Sequence, residues 1–414
     1  MMEFIQALHN TAEAFVSHLD VTPTPRVRIV ASASADGISS SAILCLYLRH
    51  CGVDFSLSFS SHVTDVLLQE LKESHEDLIV FCDVGVGRLA AISSQLTPHK
   101  TVFVFEHHLP RDEHVDSITY LNPCLHGIDG TRDLSTSGIM HLLVYELGLR
   151  HPHTAVLALV GAVGDAQERG SFVGLNRFIL EKHATDSIDV VHGFNLFGGY
   201  TKPLVDVLEH SLSPFLPGIT GQREAVVRFL QKNHIQSSDG KKQRWLKQLS
   251  PTELQHLITA LVPHVRRGRD ALFGNAYLVR DFPFRSESNL QEYSALLNAC
   301  ARRGECGTGL GVCLGHHPSY QHALQLFDVH HRSLLQALMW FHSHRSTENI
   351  REKPGYVIID AEGYIPDHIL GTVLSFISRS NLYEDGTILV ALAYTLTGDI
   401  HLSSRVCGHR SDIN

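Results

Sequence analysis

Four short stretches of the sequence carry residues that could act together chemically. They are Ser32-Ala33-Ser34-Ala35-Asp36-Gly37, Cys82-Asp83-Val84-Gly85, Glu106-His107-His108 and Gly164-Asp165. Each falls at or near the end of an apolar run with strand-like composition: RVRIVAS (26–32), DLIVFCD (77–83), TVFVFEH (101–107) and AVLALVGAVGD (155–165). Carboxylates and imidazoles gathered at one sheet edge would make a hard, oxygen- and nitrogen-ligated site suited to Mn²⁺ or Mg²⁺. An Asp in such a position serves at least as often as a turn or helix-capping residue. Alone, each stretch is ordinary. All four in this order point to one metal centre.

The elements that must position these residues follow from the alternation around them. A further run, DFSLSFS (54–60), reads as a strand, and residues 38–50 and 62–74 carry helical apolar spacing. Near-continuous apolar strands separated by helices predict an α/β fold with a parallel sheet covered on both faces. Chemistry in such sheets collects beyond the carboxyl ends of the strands. Residues 1–200 are expected to form this domain, opened by an amphipathic helix over Met1 to Thr22. Residues 201–315 read as a connecting and inserted helical region. It contains a Pro- and Gly-rich connection at 212–224 and a helix starting near Ser250-Pro251, where Ser250 and Glu253 make a capping box. Residues 316–414 read as a smaller α/β domain: a helix to about 345, a strand in 355–364, a helix from about 366, and two strands within 387–405 joined at Thr397-Gly398-Asp399.

Composition excludes several classes. With 43% hydrophobic and 19% charged residues, the 414-residue chain is not a disordered one. No apolar run approaches the ~20 residues of a spanning helix. The eight cysteines include no C-x-x-C pair, and several lie in apolar runs. That argues against disulfides and thiolate zinc, and for a reducing, cytoplasmic setting. A net charge of −9 excludes whole-molecule attraction to nucleic acid, so strand binding needs a local basic groove. The basic run of Lys241, Lys242, Arg244 and Lys247 near Trp245, with Arg266, Arg267 and Arg269, reads as a solvated or partner-facing surface. The 29 histidines are expected to be mostly surface polar groups.

The order Asp-Gly, strand-end Asp, acidic-His-His and Gly-Asp resembles the DHH phosphoesterase superfamily. It is most similar to the RecJ-like branch and to the archaeal nucleases of that branch that associate with GINS. LNPCLHGIDG (121–130), STSGIM (135–140), SPFLPGITGQRE (213–224) and LLNACARRG (296–304) resemble the same branch. GYVIIDAEGYIPDHILGTVLSF (355–376) and LSSR (402–405) are similar to the DHH-associated C-terminal domain. The resemblance implies two neighbouring metals. One would be held by Asp36, Asp83, His107 and Asp165. The other would share Asp83 and use the positions that are Ser32 and Ser34 here, where active members carry His and Asp. Catalytic roles carry over to Asp83, His107 and His108, and phosphate contacts to Asn298, Arg302 and Arg405.

The departures shape the expected function. Ser32 and Ser34 are poor ligands, so at most one Mn or Mg ion is expected. Glu106 stands where the family has Asp, and its extra methylene would push the carboxylate toward the metals or force His107 off axis. Ala301 replaces a usual Gly. The family's C-terminal domain continues with a Gly-Gly-His segment, whereas this sequence stops at Gly408-His409-Arg410-Ser411-Asp412-Ile413-Asn414, so that the segment is expected to be either cut off or absent. The resemblance therefore implies a catalytically impaired replication factor that binds GINS and, through it, the MCM helicase, with weak affinity for single strands and no membrane association. The alternative is a weak Mn-dependent exonuclease on single-stranded DNA or RNA. A small-substrate phosphatase fits less well, because the motifs over 121–224 are RecJ-like.

Overall fold

The computed structural model describes residues 1–22, 24–110, 115, 117–265, 272–280, 284, 288–380, 382–395 and 397–408. By packing, the chain divides into two compact units: Met1–Val191 with Tyr277–Phe327, and His192–Ala276 with Asp328–Asn414.

The first unit is built on five parallel strands: β1 (Arg26–Ala31), β2 (Asp54–Phe59), β3 (Leu78–Cys82), β4 (Thr101–Phe105) and β5 (Thr119–Leu121), in the order β2-β1-β3-β4-β5. Strand alternation sends successive side chains to opposite faces. Leu78, Val80 and Cys82 join one apolar cluster, while Ile79 and Phe81 join another. Both faces are therefore covered, as the uninterrupted apolar runs predict. Helices α3 (Asp65–Glu73) and α4 (Leu89–Leu96) supply one layer. The other draws on α1 (Met2–Val21), α2 (Ala35–Cys51), α5 (Thr136–Glu146), α6 (Pro152–Gly164) and α7 (Gly174–Lys182).

Helix α6 corrects the strand expected at 155–165. Every residue from Thr154 to Val163 is buried, so no polar face remains to print a helical period on the sequence. The start signal is nonetheless present: Pro152 occupies the first turn and His151 caps it by accepting from the His153 amide at 3.2 Å. Asp165 consequently follows a helix rather than a strand.

Close packing of α2, α5 and α6 depends on Gly161. A Cβ there would lie 2.1 Å from Ser137 Oγ and 2.3 Å from Asp36 Oδ1. Gly161→Ala gains about 1 kcal/mol of helix propensity but overpacks a buried contact, at a cost of about 1–3 kcal/mol. The clash should win, and the thermal midpoint should fall. An unchanged or raised midpoint would show that α6 can shift.

The chain leaves the first unit along β6 (Ile188–Phe194). In the second unit it forms α8 (Leu204–Glu209), α9 (Arg223–Lys232), a short hairpin of β7 (Ser238–Asp239) and β8 (Lys242–Gln243), and α10 (Pro251–Leu261). The Ser250–Glu253 capping box is present at α10. The return runs through β9 (Phe273–Val279) and β10 (Ser288–Asn289) into α11 (Leu290–Arg302) and α12 (Cys306–Cys313), which rejoin the first core. Helix α13 (His317–His344) leads back out. The C-terminal sheet has the order β11 (Ile350–Lys353), β12 (Tyr356–Asp360), β13 (Ile388–Tyr394) and β14 (Ile400–Val406). One of its faces packs Val357, Ile359, Leu389 and Ala391 with Ile369, Val373 and Leu374 of α14 (Asp367–Arg379).

All eight cysteines are free thiols, six of them buried, as small core hydrophobes should be. Among the described residues no helix is long and apolar enough to cross a membrane.

Candidate metal centre

The turn after β1 sets the first ligand. Ser34 caps α2, its Oγ accepting from the Gly37 amide at 2.9 Å. This places Asp36 in the first helical turn, fully buried. Its carboxylate reaches the N-terminus of α5, accepting from the amides of Thr136 at 2.8 Å and Ser137 at 2.9 Å. The capping role and the cluster role thus fall on the same residue.

Asp83 follows β3 with a left-handed backbone (φ 59°), a conformation Asp tolerates better than most side chains. Its Oδ2 accepts from Ser34 Oγ at 2.8 Å. Ser32 Oγ in turn donates to Ser34 Oγ at 3.0 Å. The two positions at which active members would hold the other metal, the first metal of the pair, therefore form a hydroxyl chain that ends on Asp83.

His107, at the end of β4, is the hub. Its Nδ1 donates to the Gly130 carbonyl at 2.5 Å. Its Nε2 lies 3.2 Å from Asp165 Oδ2, 3.4 Å from Asp83 Oδ1 and 3.9 Å from Asp36 Oδ2. Both Nε2 and Asp165 Oδ2 are buried without a hydrogen-bond partner. Buried polar atoms are normally satisfied. Two orphans facing one another among three carboxylates fit a divalent cation, and a histidine whose other nitrogen donates to a carbonyl is the usual form of a metal-binding imidazole.

The electrostatics agree with a crowded anionic pocket. Burial, then the charges of Asp83 and Asp165, raise the Asp36 pKa to about 7. Burial also opposes ionisation of Asp83, yet His107, His108 and Ser34 hold its carboxyl below the usual range. For His107, burial disfavours the cation, but Asp165 and Asp83 outweigh it and raise its pKa well above that of free histidine.

Glu106 does not enter this cluster. It is buried, and its Oε2 turns back to accept from the amides of His107 and His108 at 3.2 and 3.4 Å and from His108 Nδ1 at 2.8 Å. The extra methylene folds the carboxylate back onto the backbone of residues 107–108 and onto the His108 ring, while His107 keeps its place beside Asp165 and Asp83. His108 is held by Glu106 and remains exposed, with Nδ1 3.8 Å from Asp83. Ligand atoms of Asp36, His107 and Asp165 lie within 4.8 Å of one another, as do those of Asp83, His107 and His108.

The expected nucleic-acid residues are placed differently. Asn298 on α11 spends its side-chain oxygen on the Ala35 amide, at 3.1 Å, so it anchors the start of α2. Arg302 ends α11 and is exposed, as is the adjacent Arg303. Arg405 lies on β14 in the second unit, bonded to Ser375 Oγ and the Ser404 carbonyl. Arg244 pairs with both oxygens of Glu253 and lowers its pKa to about 2. It braces the start of α10. Arg266, Arg267, Arg269 and residues 409–414 lie outside the described residues.

Sequence reasoning missed Thr136 and Ser137, which hold Asp36, Gly130 and Gln167, which lie against His107, and Asn176, which holds Gln167. The first two sit in the STSGIM stretch, whose Ser-Thr-Ser before an apolar run is a helix-start signal. Gly130 closes the LNPCLHGIDG stretch, and Gln167 and Asn176 carry no spacing that would single them out.

Residues 26–162 match the model of the DHH family, N-terminal domain, and residues 196–271 that of the DHH-CID domain. An uncharacterized protein of Methanocaldococcus jannaschii is 24% identical over 396 residues, covering 92% of this chain and 87% of its own. Among solved structures the chain is similar to CDC45 from Entamoeba histolytica, with a TM-score of 0.68 and 12% identity over 95% of this chain and 85% of that one. It is also similar to RecJ in complex with Mn²⁺ from Thermus thermophilus, with a TM-score of 0.55 and 16% identity, over 94% of this chain and 47% of that one.

Proposed function

The chain belongs to the DHH family and has the RecJ-like fold, and from that premise we propose that it is a replication factor with a hydrolytic centre reduced to a single cation. In this reading it serves in the cytoplasm of an archaeal cell as a GINS-bound subunit of the MCM helicase assembly. The observation that carries the reading is the hydroxyl chain from Ser32 through Ser34 to Asp83. It stands where active members would hold their first metal, and it offers neither negative charge nor an imidazole. The other ligand set, Asp36, Asp83, His107 and Asp165, is complete. Because Nδ1 of His107 is bound to Gly130, one lone pair remains, and both candidate ligand groups require it. That supports one Mn²⁺ or Mg²⁺ rather than two.

Such a cation supplies charge to polarise a phosphate oxygen. The protein's own contribution is to hold Asp83 in place through Ser34, to orient His107 through Gly130, and to present His108 at the solvent side. A weak exonuclease on single strands is the second reading, favoured by that complete ligand set.

A pull-down with purified GINS, using wild type and Asp83→Ala, separates the two. Equal retention of GINS by both proteins is expected, because Asp83 lies in the buried centre. Failure of folded, monodisperse wild type to retain GINS would remove the main support for the scaffold. Mn²⁺-dependent strand hydrolysis abolished by Asp83→Ala would establish the exonuclease.

A further inference from the structure

Hydrogen bonding on the Nδ1 side of His107 can be assigned from two backbone carbonyls, which only accept. The Arg132 carbonyl receives Asn176 Nδ2 at 3.3 Å, and the same nitrogen donates to Gln167 Oε1 at 2.6 Å. The Gln167 amide nitrogen must then face the other way, where it donates to the Gly130 carbonyl at 2.9 Å. That oxygen also receives His107 Nδ1, which lies 3.5 Å from the Gln167 nitrogen. A carbonyl has two lone pairs, so both donors are satisfied. Gln167 and Asn176 are 2% and 0% exposed, which keeps water from competing. Only glycine fits at 130, since a Cβ would fall 1.7 Å from the His107 carbonyl oxygen.

The opposite side of the ring belongs to the same short segment. Asp165 approaches Nε2 at 3.2 Å, and Gln167 is two residues further on. Between them Ala166 adopts a left-handed backbone (φ 60°), which for a non-glycine residue costs on the order of 1–3 kcal/mol. The turn straddles the imidazole, with Asp165 at one nitrogen and Gln167 near the other.

We propose that Gln167, oriented by Asn176, is a positioning residue of the cation centre, clamping the Asp165–Gln167 turn to the Gly130–His107 pair so that Asp165 and His107 present their ligand atoms together. This rests on the cation reading given above. Glutamate could not replace it, because a carboxylate would set an acceptor against the Gly130 carbonyl.

The test compares Mn²⁺ affinity of the full chain, read from the free-ion electron paramagnetic resonance signal, in wild type, Gln167→Leu and Asn176→Asp. The Asp substitution keeps the shape but turns the donor to Gln167 into an acceptor. Both variants should bind Mn²⁺ about 10- to 100-fold more weakly, the usual cost of losing a partner behind a metal ligand. The spin-echo modulation from the histidine nitrogen should also weaken, a change that general loosening of the fold would not produce selectively. Wild-type affinity and modulation in both variants would overturn the role of Gln167 and leave the cation centre standing. Should Gln167→Leu fail to fold, Asn176→Asp decides by the same two readings. Absence of Mn²⁺ binding by wild type would overturn the centre itself.

Discussion

The double substitution Ser32→His with Ser34→Asp is expected to raise Mn²⁺ stoichiometry to two ions per chain. Hydrolysis of labelled single strands should rise by about 10²–10³-fold, the order of effect of one preorganised electrostatic group. Two-metal hydrolysis uses one ion to generate the attacking hydroxide and both to clamp the phosphorus centre, and the serines supply neither the charge nor the imidazole for the first. The local structure can take the change. Ser34 caps α2, and Asp is an equally good cap. Ser32 is only half-buried, which leaves room for a ring. A carboxylate at 34 would stand beside Asp83, so the metal-free variant should melt below wild type and recover when Mn²⁺ is added. Two bound ions with a wild-type rate would mean that catalysis is blocked elsewhere, with Glu106 the first candidate. No second ion at all would refute the assignment of the first-metal positions.

Asp36 gives the second large effect, and it is one of folding. Its carboxylate accepts two amides at the start of α5 from a fully buried position. Leaving a buried donor unpaired costs about 1–3 kcal/mol, so Asp36→Ala, which strands two amides, should cost about 2–6 kcal/mol in the absence of metal, less the relief of the charge crowding that raises the Asp36 pKa. That is a large share of the roughly 5–15 kcal/mol typical of a folded domain. Asp83→Asn keeps the shape and tolerates the left-handed backbone, but removes a charge that His107, His108 and Ser34 stabilise in the folded state. It should also destabilise, though less than Asp36→Ala, because it relieves the crowding beside Asp36. Urea midpoints measured in EDTA compare the two. A cost within about 1 kcal/mol for Asp36→Ala, no more than an ordinary neutral hydrogen bond, would show that the α5 amides find other partners and that Asp36 has no structural duty.

Much of this arrangement is legible in the sequence because it depends on local patterns. The strands at 78–82 and 101–105 are near-continuous apolar runs with β-rich composition, and their burial on both faces follows from that continuity, whereas 26–31 and 54–59 carry polar residues and 54–59, at the sheet edge, has no buried residue. The four candidate ligand residues are marked by their order along the chain. Two kinds of information are not there. Helix α6 is buried all round, so its apolar run carries no helical period, and only the His151-Pro152 start and its length argue against a strand. The partners that hold the ligands are brought together by tertiary packing alone. Asn176 lies 69 residues beyond His107 in the sequence, and Asn298 reaches the Ala35 amide across 263 residues. Glu106 shows a third limit: its direction depends on whether its carboxylate meets the backbone or the cluster, and chain length alone does not decide that.

The hydroxyl chain at Ser32 and Ser34 also bears on how such a centre changes over generations. Starting from this sequence, Ser34→Asp alone would place two carboxylates side by side with one ligand still missing. Ser32→His alone would break the hydroxyl chain and leave its ligand set one carboxylate short. Each single step is disfavoured, whereas Ser34 in its present state both caps α2 and holds Asp83. On the single-cation reading proposed above, a change to two metals would have to pass through an intermediate less stable than either end, so stability alone would keep the serines in place.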